Sequence, residues 1–367
     1  MQIPSWIKRE LEEKTSRGNY RNLKTNDFNL SSNYGSNDYL ALSINSEVLS
    51  EFRNAKSVGV CASRLMGSDF GEAALLEEDL ARYFEFETTL LYSSGFLANL
   101  GLVSAVVRRD DLVFSDKHIH ASLNEGIRLA GAKHFRFRHS DLEHLEDFLQ
   151  RESKKRKAEQ HFYIVVESLY SMEGDTPDIS QLSILARKYN CFLIIDESHA
   201  VGVFDHGLSS EISRENLILT ATCSKAFGTY GGFVCGPKWL KELLVNSSRA
   251  FIYNTALPSA IIRATQKSLQ IVRDNQSLGF ELLKNAKNFR DNLNLSNNGS
   301  AQIVPIYLDS SEISLRISSD LKELGYLVPA IRPPTVKKAI LRISLTLHHS
   351  KQDLVNLSSL IKSRLSS

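Results

Sequence analysis

Cysteine is scarce in this 367-residue sequence: Cys61, Cys191, Cys223 and Cys235 are scattered, with no CxxC pair. That argues against a disulfide framework or a thiolate metal site and fits a reducing cytoplasm. An excess of one charge is also missing. Forty-four Lys and Arg stand against 42 Asp and Glu, and a net charge of +2 gives no reason to expect nucleic acid. No apolar run is long enough to span a bilayer; the longest, Phe96 to Val107, contains Asn99 and Ser104. The opening residues, MQIPSWIKRELEEK, have no apolar h-region, so no secretory leader is expected. Internal repeats and low-complexity tracts are absent as well.

What is present is a globular composition, with 42% hydrophobic and 23% charged residues. The length allows about two or three domains. Pro4, Ser5 and Gly18 bracket a charged amphipathic helix over 4–17. Residues 28–45 are turn-rich and read as an extended arm. Glu72 to Phe86 has helical apolar spacing. Leu90-Leu91-Tyr92 reads as a strand, Ser93-Ser94-Gly95 as a turn and Phe96 to Val107 as a buried helix. The amides of such a turn form an anion site, although a plain capped helix looks the same. Short apolar strands then alternate with helices: 112–114, 135–137, 162–168, 191–196 and 217–219. That rhythm implies a mostly parallel sheet with ligands bound beyond the carboxyl ends of its strands. Ser140 or Asp141 caps the helix Leu142 to Leu149. The basic run 151–160 reads as a solvated helix end, because no aromatics interleave it. After the Asn/Ser-rich stretch 292–300, a β-α-β-α tail reads as a small separate domain, its last helix capped by Ser350 with Asp353.

Three strand ends carry polar groups that could converge: Glu167, Ser168 and Ser171; Asp196 and His199; Thr222 and Lys225. Lys225 sits in TATCSKAFGTYGG, between an apolar strand and a glycine-rich turn. Burial there would lower its pKa and make it a nucleophile for a carbonyl cofactor. On this stretch alone, an ordinary loop lysine reads the same. Asp196 also suits a magnesium or phosphoryl-transfer site, or a helix cap. One chemistry uses all of these groups together, that of pyridoxal phosphate: an imine-forming lysine, a carboxylate for the ring nitrogen, an anion cradle and a covering ring. His120, in HIHAS, is a candidate for the covering ring. Zinc at that HxH lacks a third soft ligand nearby, so no metal is expected.

The segments NDYLALS (37–43), SRLMGS (63–68), SSGFLANLG (93–101), HASLNEGIRLAG (120–131), ESLYSMEGD (167–175), IIDESHAVGVFD (194–205), TCSKAFGTYGG (222–232), FIYNTALP (251–258) and AIRPPTV with LRISLT (330–346) span nearly the whole chain. In this order the chain resembles the α-oxoamine synthase family of fold-type-I pyridoxal phosphate enzymes. The resemblance implies an α/β fold, with an arm over 1–45, a large cofactor domain with a mostly parallel seven-stranded sheet over 46–273, and a small α+β domain over 274–367. It implies that Lys225 binds the cofactor and moves the α-proton of an amino acid. Asp196 would pair with the ring nitrogen, and His199, with Ser171 beside it, would face the phenolic oxygen. His120 would stack on the ring. Ser94, Gly95, Phe96 and Thr222 would hold the phosphate, with Thr255 added from a partner subunit. Arg342 would clamp the amino-acid carboxylate, Asn37 and Tyr39 would line the substrate, and Arg21 would meet a distal acyl carboxylate.

The implied protein is a cytoplasmic homodimeric acyltransferase whose partners are an amino acid and an acyl thioester on CoA or a carrier protein. The segments around 330–346 most resemble the branch that joins L-alanine to a pimeloyl group; siblings use glycine or serine. Two departures bear on the acyl group: Glu72 stands about where relatives carry a histidine, and Lys337-Lys338 replaces a Pro/Gly-bearing turn. A non-catalytic partner subunit of this fold would need neither Lys225, Asp196 nor His199.

Overall fold

A computed structural model describes residues 3–16, 20, 21, 23, 29–67, 71–295 and 299–365. Its strands are β1 (Thr88–Tyr92), β2 (Leu112–Asp116), β3 (Lys133–Phe137), β4 (Phe162–Glu167), β5 (Cys191–Asp196), β6 (Leu217–Thr222), β7 (Gly232–Gly236), β8 (Ile303–Tyr307), β9 (Ala330–Ile331) and β10 (Ile340–Ser344). The first seven form one sheet in the order β1-β7-β6-β5-β4-β2-β3. Only β7 runs against its neighbours, pairing antiparallel with both β1 and β6. Its glycine-flanked sequence, GFVCG, has too short an apolar run to be told from a turn. The last three strands form a second sheet, β8-β10-β9. The fold is α/β, of the fold-type-I pyridoxal phosphate class.

Strand periodicity decides what faces the site. Successive side chains point to opposite faces of a sheet. Val165, Ile194 and Ile218 pack with Ala98 and Leu102 of the helix Gly95–Val106. Ile164, Val166, Leu193 and Ile195 pack on the other side with Leu145 and Leu182. Glu167, Asp196 and Thr220 share the parity of the first set. The parallel register also aligns them, Glu167 opposite Asp196 and Asp196 opposite Thr220. Three polar side chains therefore line up across three adjacent strands, two at strand ends and Thr220 two residues before the end of β6, beneath the helix that begins at Gly95.

Several caps match the sequence. Asp141 accepts from the amide of His144 at 2.9 Å, so it caps a helix that runs on to Ser153. Ser350 and Asp353 cap each other reciprocally. The expected helix stop at Gly18 lies outside the described residues.

The arm is less extended than its turn residues suggest. It makes two short 3₁₀ turns, Leu30–Ser32 and Leu42–Ile44, and buries Tyr34, Tyr39, Leu40 and Leu42. Its aromatic and leucine side chains drive it into the core. It is stitched to the C-terminal part by Leu327 N to Ser32 O, Ser344 N to Tyr34 O and Leu347 N to Tyr39 O, each 2.9 Å. A single apolar cluster runs from Leu76, Phe84 and Phe233 through Tyr39 to Leu341, Ile343 and Leu357. Among the described residues no helix is long and apolar enough to cross a membrane.

Candidate active site

Asp196 ends β5 and is 5% exposed. A buried carboxylate must be compensated by hydrogen bonds. Asn99, from the helix above, donates to Oδ2 at 2.6 Å, and the Ser198 amide donates to Oδ1 at 2.9 Å. Thr220 Oγ1 donates to Asn99 Oδ1 at 2.6 Å, which fixes the amide orientation. Asn99 Nδ2 also reaches Ser122 Oγ at 3.0 Å, and Ser122 Oγ lies 2.7 Å from His120 Nδ1. The His120 imidazole and the Asp196 carboxylate are thus positioned through one asparagine. His120 has an exposed edge, but desolvation by its neighbours lowers its pKa. The Lys225 charge adds to that fall and Asp196 opposes it, so the ring is neutral at neutral pH.

Lys225 stands in a tight loop after β6. Thr229 N bonds to Cys223 O at 3.0 Å and Gly228 N to Lys225 O at 2.9 Å. Gly228 has φ +63°, and a Cβ there would lie 2.3 Å from Ser43 N, so only glycine fits against the arm. Lys225 Nζ lies 2.8 Å from His199 Nε2. Burial is the main cause that lowers the lysine, to about 8; Asp196 and Glu167 oppose it, and Arg342 assists. Burial, followed by the charges of Lys225 and Arg342, holds His199 well below the usual imidazole range.

A neutral His199 that accepts from Lys225 carries its proton on Nδ1. Nδ1 lies 2.6 Å from Tyr39 Oη, so the imidazole donates to the phenol. Tyr39 in turn donates to Asn37 Oδ1 at 3.2 Å. Burial raises the Tyr39 pKa and keeps the phenol protonated. Arg342 Nη2, at 3.2 Å, and Ser344 Oγ, at 3.1 Å, donate to the same Asn37 oxygen. Arg342 Nε donates to the Ser171 carbonyl at 2.6 Å. Three side chains, His199, Tyr39 and Asn37, therefore connect Lys225 at one end to a guanidinium at the other.

The turn at Ser94 closes the third side. Ser94 Oγ accepts from Leu97 N at 3.2 Å and starts the helix Gly95–Val106. A Cβ on Gly95 would meet Thr222 Cβ at 2.8 Å, and one on Gly232 would meet the Gly95 Cα at 2.6 Å. Three chain segments pack here as closely as glycine allows. Thr222 Oγ1 lies 2.8 Å from Ser224 Oγ. Backbone amides at a helix start, flanked by hydroxyls, suit a phosphate. With the free amine at Lys225 and the fixed carboxylate at Asp196, the donor set fits pyridoxal phosphate.

The other expected residues fall as follows. Ser171 reaches the site through its backbone carbonyl. Phe96 lies edge-on to His120, with ring centroids 6.3 Å apart. Thr255 forms a bridge with Ser63 beside a cavity lined by Arg64, Tyr92, Ser93 and Asn254. Arg21 is exposed and stands apart, on a cleft with Glu10, Lys14, Tyr20 and Arg332, bounded by β9. Asn99, Thr220 and Ser344 were not singled out from the sequence. Asn99 could have been, as a lone amide in an apolar helix.

Residues 31–360 match the family described as aminotransferase class I and II. The chain belongs to that family. Its α-oxoamine synthase relatives include the 8-amino-7-oxononanoate synthase of Saccharophagus degradans, 38% identical over 88% of this chain and 84% of that protein. Among solved structures, the 8-amino-7-oxononanoate synthase of Francisella tularensis is 26% identical, with a TM-score of 0.79, over 92% of this chain and 98% of that one. The serine palmitoyltransferase of Sphingomonas wittichii has a TM-score of 0.91 at 23% identity, over 99% of this chain and 98% of that one, and shows the fold. This family member is a pyridoxal-phosphate-dependent acyltransferase. Among the described residues no group of three or more His, Cys, Asp or Glu is arranged to hold a metal ion.

Proposed function

We propose that the chain is an 8-amino-7-oxononanoate synthase, which joins L-alanine to a pimeloyl thioester. The named relatives support the substrates. The observation that carries the reading is the hydrogen-bonded chain from Lys225 to Arg342, which links a proton-moving amine to a carboxylate-reading guanidinium. We likewise read 1–45 as the arm, 46–273 as the cofactor domain and 274–367 as the small domain, since the two sheets fall on either side of residue 274.

Bound pyridoxal phosphate supplies an electron sink for the charge left on the amino acid's α-carbon. Ser94, Gly95, Phe96 and Thr222 would hold its phosphate, joined in a homodimer by Thr255 of the partner subunit. Asp196 would keep its ring nitrogen charged, His120 would cover the ring, and His199 with Ser171 would meet the phenolic oxygen. Lys225 would anchor the group and would take a proton from the α-carbon of the bound amino acid. Arg342 holds the alanine carboxylate, a task suited to a planar guanidinium. Asn37 and Tyr39 line the substrate and keep Arg342 in register with His199. The α-carbon then bonds to the pimeloyl carbonyl carbon as the thiol leaves. The carboxylate departs as carbon dioxide, and Lys225 returns the proton. Arg21, with Arg332 on the same cleft, receives the distal carboxylate of the acyl chain.

The test is a matrix of amino acids against acyl thioesters, on CoA and on carrier protein, scored by product mass. Alanine with the pimeloyl donor should give 8-amino-7-oxononanoate. Product from glycine or serine alone would assign the chain to a sibling α-oxoamine synthase, whereas the Glu72 and Lys337-Lys338 departures bear on the acyl donor and are read out by the thioester arm of the matrix. A protein that takes up no cofactor would be a non-catalytic subunit.

A further inference from the structure

Outside the site, one histidine is held between two carboxylates from different parts of the chain. His139 Nδ1 lies 3.0 Å from Asp116 Oδ1, and His139 Nε2 lies 2.9 Å from Asp175 Oδ2. Carboxylate oxygens only accept, so each ring nitrogen must donate and the ring is an imidazolium. Burial alone would lower its pKa, but the bonds and charges of Asp116 and Asp175 push it up to about 10. Asp116 ends β2 and is fully buried. It also accepts from His118 N at 2.7 Å and Ser140 N at 2.8 Å, so this end of the clasp is rigid.

The other end is the loop 168–175. That loop is closed on itself by Tyr170 N to Asp175 O at 3.0 Å and Gly174 N to Tyr170 O at 2.9 Å. Tyr170 lies edge-on to His139, with centroids 4.5 Å apart. On its far side Gly174 abuts β8, where an added Cβ would lie 2.4 Å from Ile303 O. Midway along the loop is Ser171, whose carbonyl receives Arg342 Nε at 2.6 Å. Two groups hold this guanidinium, the Ser171 carbonyl at 2.6 Å and Asn37 at 3.2 Å, and the shorter bond is only as fixed as the loop that carries it.

We propose that His139, clasped between Asp116 and Asp175, is a positioning residue that fixes the loop 168–175 and through Ser171 sets the aim of Arg342. The inference rests on the reading that Arg342 takes the amino-acid carboxylate. A small misplacement of such a group costs binding out of proportion to its distance from the chemistry.

The experiment compares the cofactor-loaded wild type with H139Q, D175N, the double variant and R342K. The dissociation constants of L-alanine and of ethylamine, its carboxylate-free counterpart, are read by absorbance. H139Q and D175N should each weaken alanine by about tenfold and leave ethylamine within about twofold; the double variant should cost no more than either single one. Alanine affinity unchanged in both, with R342K weakened, overturns the clasp and leaves Arg342's role intact. Equal loss for alanine and ethylamine also overturns it, since that is general damage. An R342K protein with unchanged alanine affinity refutes the reading of Arg342, and the clasp's role falls with it. If H139Q does not fold, D175N decides, because Asp175 is at the half-exposed end of the clasp.

Discussion

Raising the pH of the cofactor-free protein should switch on Lys225 well before an ordinary lysine reacts. Burial brings its pKa to about 8 from 10.5. At pH 7 that leaves roughly one amine in ten unprotonated, against about one in 3,000 for an unperturbed lysine, a gain of about 300-fold in nucleophile. The assay is reductive methylation with formaldehyde and cyanoborohydride, followed by mass spectrometry of the peptide bearing Lys225. Its rate should climb about tenfold per pH unit and level off near pH 8. Asp196 opposes the lowering because its charge favours the ammonium. Asp196→Asn should therefore move the plateau down by about one unit and speed labelling at pH 7, even as it disables the loaded enzyme. Stability follows the same sign. The folded pKa lies below the unfolded one, so the cost of burying the ammonium is complete below about pH 8. It fades as pH rises toward 10.5, and this group's contribution to stability increases across that window. A labelling rate still climbing tenfold per unit at pH 10, or a plateau that rises in Asp196→Asn, would refute the reasoning.

Two further outcomes follow from the packing around the cofactor site. Asn99→Leu strands the Asp196 Oδ2 and removes the partner of Thr220, so urea unfolding of the cofactor-free protein should show a loss of about 2–3 kcal/mol; a loss below about 0.5 kcal/mol would mean that water replaces the amide. Gly232→Ala puts a Cβ 2.6 Å from the Gly95 backbone, which cannot swing aside. The Ser94-Gly95 turn must move, and on the proposed placement of the phosphate cofactor affinity should fall by about tenfold or more while the far-ultraviolet spectrum stays unchanged.

The alternation of apolar strands and helices was enough to read the parallel sheet, because strands buried on both faces leave few choices. The strand ends carrying Asp196 and Thr222 were legible for the same reason, as polar residues that interrupt an apolar run. β7 was not, since GFVCG offers only three apolar side chains between glycines. Arg342, Asn37 and Tyr39 carry no local signal that ties them to Lys225. They lie 117, 188 and 186 positions away from it in the chain, and only the tertiary fold, or a resemblance, joins them. His139 shows the same limit. In HFRFRH it reads as the end of an alternating strand, and nothing nearby indicates that Asp116 and Asp175 flank it.

The burial of the arm has a consequence for how the site works. Asn37 accepts three donors at one oxygen, from Tyr39 within the arm and from Arg342 and Ser344 on β10. Asp38, its neighbour, accepts from Ser43 Oγ at 2.5 Å and lies 2.7 Å from His348 Nε2. Its other oxygen would stand 3.0 Å from a Cβ placed on Gly228, in the loop of Lys225. Two consecutive arm residues thus touch the small sheet and the lysine loop at once. A displacement of the small sheet that shifts Arg342 must also pull on Tyr39 and, through it, on the Nδ1 proton of His199. Because His199 Nε2 lies 2.8 Å from Lys225 Nζ, Arg342 and the amine at Lys225 are joined by a continuous run of hydrogen bonds. That connection is a physical reason for a polar, turn-rich arm to be buried between the two sheets.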